Sequence, residues 1–382
     1  MAVRGGPNAA DRHLRVFRLL CGCVLAALAF QGRTFATLVQ RVQRADVNPR
    51  RAMAQRLHSA RVLAKSQEAS EMTLPSLPEV RWLDPLDPQG EEIQPEDGAT
   101  VMPVFPLGGP FFPYTKHPLQ IFEPRYRELY DKILFSGSRR FVVTPVDPRS
   151  ESSLRLAEVG VVFYLDDLKE VSEQTQDQVK YVCEHTVIGR VRLKRVLNPS
   201  AWFDRSTYLR AEAEPLEDTD VEVESKPLEE EVMQLLRDLV PLNKELKLPT
   251  YETSLLEERN SSRAEKNGLW SLGEVWVQLL GAQLTVKRQV FQERLQEIIG
   301  PYADGKELRA SDLPENVIAD IKALEAEFQA MGSRMVAQQL EFGQRFIQTD
   351  SHRGRLEQFK QTLEEEYRTL IAQKSLKSLG DR

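Results

Sequence analysis

The sequence predicts an α+β protein: a small β-barrel or sandwich with an inserted helix, followed by an α-helical bundle and a long C-terminal amphipathic helical region. Three patterns lead to this prediction. Leu209, Ala211 and Ala213 alternate with charged residues, which is the period-two pattern of a strand buried on one face. After Glu217 the period becomes helical, and from Val317 apolar residues recur at steps of four and three, as in a heptad repeat.

Charge is unevenly distributed along the 382 residues, whose net charge is −6. Residues 1–65 contain eleven Arg and one Lys against two Asp, a net charge of +10, so the remainder carries −16. Such an acidic body repels phosphate backbones, and we expect it not to bind nucleic acid nonspecifically. Of the three cysteines, only Cys183 lies in the body, which excludes a disulfide framework or a cysteine-based zinc site there.

The N-terminus is typical of a targeting leader. Arginines precede an apolar run, 19–30, which fits the h-region of a signal peptide and is too short to span a bilayer. Ala27 and Ala29 are the small residues that a signal peptidase reads, and 30–65 is Arg-rich and acid-poor, like a transit peptide. The tandem resembles the bipartite leaders of algae with secondary plastids, where Phe30 would follow the cleavage site. A mitochondrial presequence and a plain secretory signal are the alternatives, and no stable membrane anchor is expected.

Composition divides the rest of the chain. Prolines among acidic residues predict a disordered linker before the first strand. Helices are predicted over 228–240, ending at Pro241, and as a pair over 269–280 and 283–299 that is interrupted at Gly281. The predicted organisation is a signal-like segment 1–29, a transit-like segment 30–65, a linker 66–100, a β domain 101–218, a helical subdomain 228–300 and a helical or coiled-coil extension 314–375.

The heptad pattern of the extension has two interpretations. It resumes after a predicted break at Gly354 and either packs on the protein's own domain or forms a coiled coil between chains, which would make a homo-oligomer. The pattern consists of Val317, Ile321, Leu324, Phe328, Met331, Met335, Leu356, Phe359, Leu363 and Leu370.

Residues 105–137 predict a strand, a turn, a second strand and a helix. The first strand begins at Phe105-Pro106-Leu107, a Gly- and Pro-rich turn follows, and 118–122 forms the second strand. Pro124 suits the first turn of a helix, because its fixed φ fits and its missing N–H needs no partner there. The helix ends at Gly137, where glycine can adopt the left-handed conformation. Its apolar stripe at helical spacing comprises Tyr126, Leu129, Tyr130, Ile133 and Leu134.

This segment resembles the N-terminal domain of the Lon protease family, whose hallmark is a strand opening with Phe-Pro-Leu followed by Pro-Leu-x-Ile-Phe-Glu-Pro-Arg-Tyr. Here these motifs are 105–107 and 118–126. The resemblance covers 101–218 and continues more loosely in the helices around 270–299. It implies a PUA-like β-barrel followed by a helical bundle, used to bind protein substrates.

The resemblance makes the motif residues the candidate protein-binding site. Ile121, Phe122 and Tyr126 are anchors of the kind that dominate interface energetics, if they are accessible. For Glu123 and Arg125 two roles stay open: direct contact with a partner, or an attachment of the helix start to the barrel.

No catalytic chemistry is recognisable in the 382 residues. They contain neither the nucleotide-binding loop nor the Ser-Lys dyad of complete Lon proteases, so the chain resembles a stand-alone Lon domain without ATPase and protease. The nearest loop match, 300–307, places Glu307 where Ser or Thr would bind magnesium. The five histidines are scattered without metal-ligand spacing. We therefore expect no catalytic residues, no metal and no cofactor.

The predicted function is a non-catalytic protein-binding module that recognises client or partner proteins in an organelle, and the leader makes the plastid the expected organelle. One alternative is an assembly or accessory factor that acts through the C-terminal coiled coil. Another is RNA binding by the barrel, because Arg190, Arg192, Lys194 and Arg195 form a basic strand. The charge of the body argues against this second alternative.

A fluorescent protein fused to residues 1–65 should enter the plastid of an alga with a secondary plastid, because the signal-like segment and the transit-like segment would act in succession. Microscopy gives the result. A control fusion of residues 30–65 lacks the first signal and should remain outside the secretory route. Retention of the full fusion in the secretory pathway would contradict the prediction.

Overall fold

The computed structural model describes most of the chain beyond residue 78, in the ranges 79–149, 154–219, 225–261, 268–302 and 313–380. The predicted leader and the first part of the predicted linker lie outside the described residues. The described chain forms two compact units. The larger unit contains the residues up to 283 and those from 336 onward, and the smaller unit contains those from 284 to 335.

Six strands form one sheet in the larger unit, in the order β2-β5-β4-β3-β1-β6. β1 and β3 are parallel, and the other neighbours are antiparallel. β5 also pairs with β6, so five strands close a ring and β2 lies outside it. The α+β class is confirmed, although β2 and the parallel pair make the sheet less regular than the predicted barrel. The strands are β1 (Val101–Pro106), β2 (Lys116–Ile121), β3 (Arg140–Thr144), β4 (Val159–Glu170), β5 (Tyr181–Val196) and β6 (Leu209–Pro215).

Alternation along the strands produces two separate buried faces. In β3, Phe141 and Val143 belong to the core that the sheet shares with the helices, whereas Val142 between them belongs to a second cluster on the other face. In β1, Phe105 and Val104 divide in the same way. A register slip of one residue would exchange the two faces, so both clusters together specify the strand pairing.

The described residues form eight helices, and none of them is long and apolar enough to cross a bilayer. The first helix begins at Pro124, as the sequence predicts, and buries the apolar stripe against the sheet. A 3-10 turn, Gly300–Tyr302, follows the sixth helix. The helices are α1 (Pro124–Phe135), α2 (Ser172–Thr175), α3 (Ala201–Asp204), α4 (Lys226–Leu246), α5 (Thr253–Ser261), α6 (Gly268–Ile299), α7 (Glu315–Gln348) and α8 (His352–Gly380).

Two predicted helix boundaries are wrong. α4 continues through Pro241, which faces solvent, and the next residue, Leu242, packs into the core. α6 continues through Gly281, because Leu279 and Leu284 are buried on either side of it. A glycine inside a helix costs only about 1 kcal/mol, and burial of neighbouring leucines outweighs that cost.

Residues 79–100 are not the disordered linker that their composition predicted. The N–H groups of Leu83 and Leu86 donate to the carbonyl oxygens of Leu156 and Leu154, each at 2.8 Å. Leu86 is buried in the second cluster of the sheet, and Leu83 packs against it. The segment is extended because of its prolines, but the leucines between them attach it to the sheet.

α8 belongs to the core of the larger unit. It packs along α4, and four of the predicted heptad residues contribute to the core shared with the sheet. A coiled coil between chains through these residues would require that core to open. The break in the helical pattern falls at 349–351, between α7 and α8, and not at Gly354. The four residues are Leu356, Phe359, Leu363 and Leu370.

The smaller unit has an apolar cluster of its own. Val317 and Ile321 of α7 pack with Phe291 and Leu295 of α6. Phe291 stacks on Phe328 with ring centroids 4.5 Å apart. The first half of the predicted heptad pattern therefore packs within the same chain.

The turn after β1 lies in close contact with α7. A Cβ atom at Gly343 would lie 2.0 Å from the Cβ of Pro110. This distance is too short for two carbon atoms that are not bonded, so the helix or the turn would have to move. At Gly332, in the same helix, a Cβ atom would meet no described atom within 4 Å. Glycine at 343 is therefore required by the approach of Pro110, whereas glycine at 332 is not required by packing.

Substituting Gly343→Ala should destabilise the protein by about 1–3 kcal/mol, because the overlap with Pro110 outweighs the gain in helix propensity. The matched variant Gly332→Ala should instead stabilise it by up to about 1 kcal/mol. Urea unfolding followed by circular dichroism measures both. Equal effects of the two substitutions would contradict the close contact.

The buried His185 and the half-buried His117 belong to one hydrogen-bonded network at the core. Thr115 Oγ1 donates to Phe112 O at 2.6 Å, so it accepts from His117 Nε2 at 2.7 Å. His185 Nδ1 donates to His117 O at 3.2 Å, so the neutral His185 Nε2 accepts from Tyr130 Oη at 2.7 Å. Burial lowers the pKa of His117 and of His185 to about 4, and the proximity of His185 contributes to the shift of His117. Both rings are therefore neutral at pH 7.

The free energy of unfolding should fall as the pH decreases from about 6.5 to about 4, by roughly 2–3 kcal/mol for each histidine. In this window the unfolded chain binds protons that the folded chain does not bind. His117→Phe removes one titrating group and keeps an aromatic ring between Phe111 and Phe163. Its unfolding free energy, measured with urea from pH 4 to pH 7, should depend less on pH. An unchanged dependence would contradict the assignment.

Candidate functional site

Two of the five predicted binding residues belong to the protein core. Ile121 and Tyr126 are 1% and 5% exposed, and the Tyr126 ring stacks on Phe105 with centroids 3.9 Å apart. Burial raises the pKa of Tyr126 to about 12. The prediction that a partner contacts Ile121 and Tyr126 directly is therefore wrong, because their side chains already have partners inside the protein.

Glu123 and Arg125 attach the start of α1 to a neighbouring helix. Arg125 Nε donates to Glu123 Oε2 at 3.0 Å, and the guanidinium group lies over the rings of Tyr126 and of Trp202 in α3, at 4.6 and 5.0 Å. Arg125 is buried, and Glu123 is partly exposed. These contacts correspond to the structural role that the sequence left open. Phe122 is different, since 47% of it is exposed.

A cavity of about 910 Å³ lies in the larger unit, between the sheet and the helices. This volume is at the upper end of the range of about 300–1,000 Å³ for ligand pockets. The sheet contributes residues of β1, β3, β4, β5 and β6, and the helices contribute residues of α4, α6 and α8. Its apolar lining includes Met102, Ile188, Met233, Leu269 and Leu272.

The backbone around the cavity departs from regular strand geometry at two points. Val162 pairs with Gly189 and Phe163 pairs with Val187, so Ile188 is the extra residue of a β-bulge. Tyr114 adopts φ = 68°, a left-handed conformation that is uncommon for an aromatic residue, and its N–H donates to Val187 O at 2.7 Å. Ile188 and Tyr114 both line the cavity and are partly exposed. Bulges of this kind redirect side chains next to binding sites.

One wall of the cavity is a network of two arginines and one aspartate. Arg355 at the start of α8 donates through both terminal nitrogens to the Asp218 carboxylate, and Arg190 Nη2 of β5 donates to Asp218 Oδ1 at 2.7 Å. Both guanidinium groups lie over the ring of Trp270, at 4.4 Å for Arg355 and 5.2 Å for Arg190. The network therefore joins the sheet to two helices at the cavity.

The same arginines also hold the end of α7. Arg190 Nη1 donates to the carbonyl oxygens of Ile347 and Thr349, each at 2.7 Å, and Arg355 Nη1 donates to Thr349 O at 2.8 Å. Burial and the charge of Arg355 lower the pKa of Arg190 to about 10. Burial favours the neutral form of Asp218, but the two guanidinium groups outweigh it and hold the pKa of Asp218 below its ordinary value.

The basic strand that suggested RNA binding is paired with carboxylates. Arg192 Nε lies 3.0 Å from Glu158, Lys194 Nζ lies 2.9 Å from Glu214, and Arg195 Nη2 lies 2.9 Å from Glu212. The fourth cation, Arg190, belongs to the cavity wall. Arg192, Lys194 and Arg195 are therefore each paired with a carboxylate within the protein, which argues against a role of this strand in RNA binding.

Sequence patterns identified only part of this site. Arg190 and Ile188 lie on a strand that the sequence predicts, but nothing in the sequence brings them together with Trp270 and Arg355. Trp270 and Arg355 each lie in the first turn of a helix, and a charged or aromatic residue at such a position has no distinctive pattern. Their role becomes visible only when α6 and α8 pack beside the sheet.

The closed sheet, the packed helices and the cavity together define a binding domain of the α+β class. Its identity follows from comparison with known families. Residues 101–326 match the substrate-binding domain of ATP-dependent protease La, or Lon. The match spans more than half of the chain, and the chain therefore belongs to this family. This domain is a non-catalytic module, and the match extends well beyond the predicted boundary at 218.

Several solved structures are similar to this chain, and two of them are Lon N-terminal domains. A Lon N-terminal domain protein from Xanthomonas campestris is 24% identical, and the alignment covers 37% of this chain and 73% of that chain, with a TM-score of 0.27. The N-terminal domain of a Lon protease from the Mycobacterium avium complex is 16% identical, with coverage of 45% and 90% and a TM-score of 0.29. No curated protein sequence matches the chain. The family assignment rests on the match of residues 101–326.

Tyr126→Ala should destabilise the protein by about 3–5 kcal/mol, because it removes a buried ring that stacks on Phe105. Phe122→Ala, at an exposed position four residues earlier, should change the unfolding free energy by less than about 1 kcal/mol. Urea unfolding measures both. A Tyr126→Ala variant as stable as Phe122→Ala would contradict the structural role of Tyr126.

Proposed function

We propose that this chain is a protein-binding module that holds apolar segments of client or partner proteins in the cavity of the larger unit. The observation that carries the proposal is the position of Ile188 on a β-bulge, partly exposed at a cavity of about 910 Å³ in a domain of the Lon substrate-binding family. A partly exposed apolar side chain beside a cavity gains free energy when a partner covers it.

The lining of the cavity suits a polypeptide better than a purely apolar ligand. Apolar groups such as Met233 and Leu269 can pack against a client side chain. The charged groups of the arginines and Asp218 make one wall polar, which suits the polar parts of the same segment. Unfolded proteins present this mixture of apolar side chains and polar backbone, whereas folded proteins bury most of their apolar side chains.

We further propose that binding takes place in a plastid. The support is the leader sequence alone: a signal-like segment, 1–29, followed by an Arg-rich and acid-poor segment, 30–65. The fusion of residues 1–65 to a fluorescent protein tests this location independently of the binding proposal.

Ile188→Asp should weaken binding of an unfolded polypeptide by at least about tenfold, because it places a charge where an apolar side chain is to pack. Ile93→Asp is the matched control, since Ile93 is 43% exposed against 38% for Ile188 but does not line the cavity. Fluorescence anisotropy with labelled, reduced and alkylated α-lactalbumin measures the affinity. Equal affinities of the two variants would show that the cavity is not the binding site.

A further inference from the structure

The arginine wall of the cavity has an excess of positive charge. In the described ranges of the chain, Arg190 and Arg355 share a single carboxylate, that of Asp218, as their ion-pair partner. Both arginines are largely buried, and Arg355 is only 1% exposed. A buried cation is costly unless it is paired, and here two cations share one anion.

The hydrogen bonds show the same deficit of acceptors. Among the residues that the structure describes, the buried Nε of Arg355 has no hydrogen-bond acceptor. The terminal nitrogens of both arginines are occupied by Asp218 and by carbonyl oxygens at the end of α7. A further anion at this wall would offset the positive charge that Asp218 alone does not balance.

The other charged groups at the cavity do not correct this imbalance. Glu229 of α4 lies 3.0 Å from His352 of α8, so it already faces a neighbouring group. Glu217 at the cavity, and Asp350 outside its lining, are exposed to solvent, which screens their charges. Arg140, which also lines the cavity, adds a further exposed cation.

We propose that the cavity recognises a carboxylate on the bound polypeptide, received by the Arg190–Arg355 pair beside Trp270. This inference rests on the proposed function and names the chemistry of the segment that is bound: apolar residues next to a C-terminal carboxylate or an acidic side chain. Arginine pairs suit this ligand because planar guanidinium groups match the geometry of a carboxylate.

Asp218 has the role of an internal competitor in this proposal. Its carboxylate occupies the position in front of both arginines, where the carboxylate of a bound segment would be placed most favourably. Neutralising Asp218 therefore leaves two cations for the ligand alone. This substitution should strengthen binding of a carboxylate, whereas general damage to the fold would weaken binding of every ligand.

Isothermal titration calorimetry with four N-acetylated nonapeptides tests the proposal. All four share one apolar core. The first pair differs only at the C-terminus, which is a free carboxylate in one peptide and an amide in the other. The second pair is amidated and differs only beside the core, where one peptide has Glu and the other has Gln. A peptide with the recognised carboxylate should bind about tenfold more tightly than its neutral counterpart, as expected for charge-assisted hydrogen bonds. The two pairs distinguish a terminal carboxylate from a side-chain carboxylate.

The variant Asp218→Asn should bind the recognised carboxylate peptide more tightly than the wild type and the neutral peptide no more tightly. Asp177→Asn is the matched control, because Asp177 forms a bidentate pair with Arg127 that does not line the cavity. This control should leave both affinities unchanged. Sodium acetate should also raise the Tm of Asp218→Asn more than sodium chloride at equal ionic strength, and this measurement applies even if the variant is unstable.

The outcomes separate the two proposals. Peptides that all bind with equal affinity would overturn carboxylate recognition and leave the protein-binding function standing. Failure of every peptide and of the unfolded polypeptide to bind would overturn the proposed function itself. An Asp218→Asn variant that gains no affinity for the carboxylate and no specific stabilisation by acetate would overturn the role of the arginine pair.

Discussion

The pairing of β5 with three other strands is the constraint on which the rest of the structure depends. This sixteen-residue strand pairs with β2 along its first part, with β6 along its last part and with β4 along most of its length. Closure of the ring by β5 and β6 leaves fewer free strand edges and encloses the second apolar cluster. The bulge in the pairing of β5 with β4 brings Ile188 to the cavity. Arg190, two residues later, reaches the helices.

The network of Arg190, Asp218 and Arg355 converts this strand geometry into a defined cavity wall. Buried ion pairs add little net stability, because desolvation offsets most of the attraction between the charges. Their geometry is nevertheless specific, since each guanidinium hydrogen bond has a fixed direction. Here the network fixes β5, the end of α7 and the start of α8 around Trp270. The wall is therefore positioned before any ligand arrives, which reduces the entropy cost of binding.

The sequence motif that resembles the Lon family has a structural role in this chain. Ile121 and Tyr126 fill the core, and Arg125 connects Glu123 with the ring of Trp202. Residues that specify a strand-to-helix junction identify the fold, but burial makes them unsuitable for contact with a partner. The proposed binding site uses different residues, on the bulged strand and on the first turns of helices that follow much later in the chain.

Local patterns in the sequence determined the α+β class, the period-two strands and the start of α1 at Pro124, because each depends on neighbouring residues alone. The motifs at 105–107 and 118–126 also indicated the Lon family, to which the chain belongs. Only the tertiary structure decided that α4 continues through Pro241, that 79–100 attaches to the sheet and that Arg355 meets Arg190 at the cavity. These features depend on burial against residues distant in the chain, and the free energy of that packing exceeds the local preferences that the sequence displays.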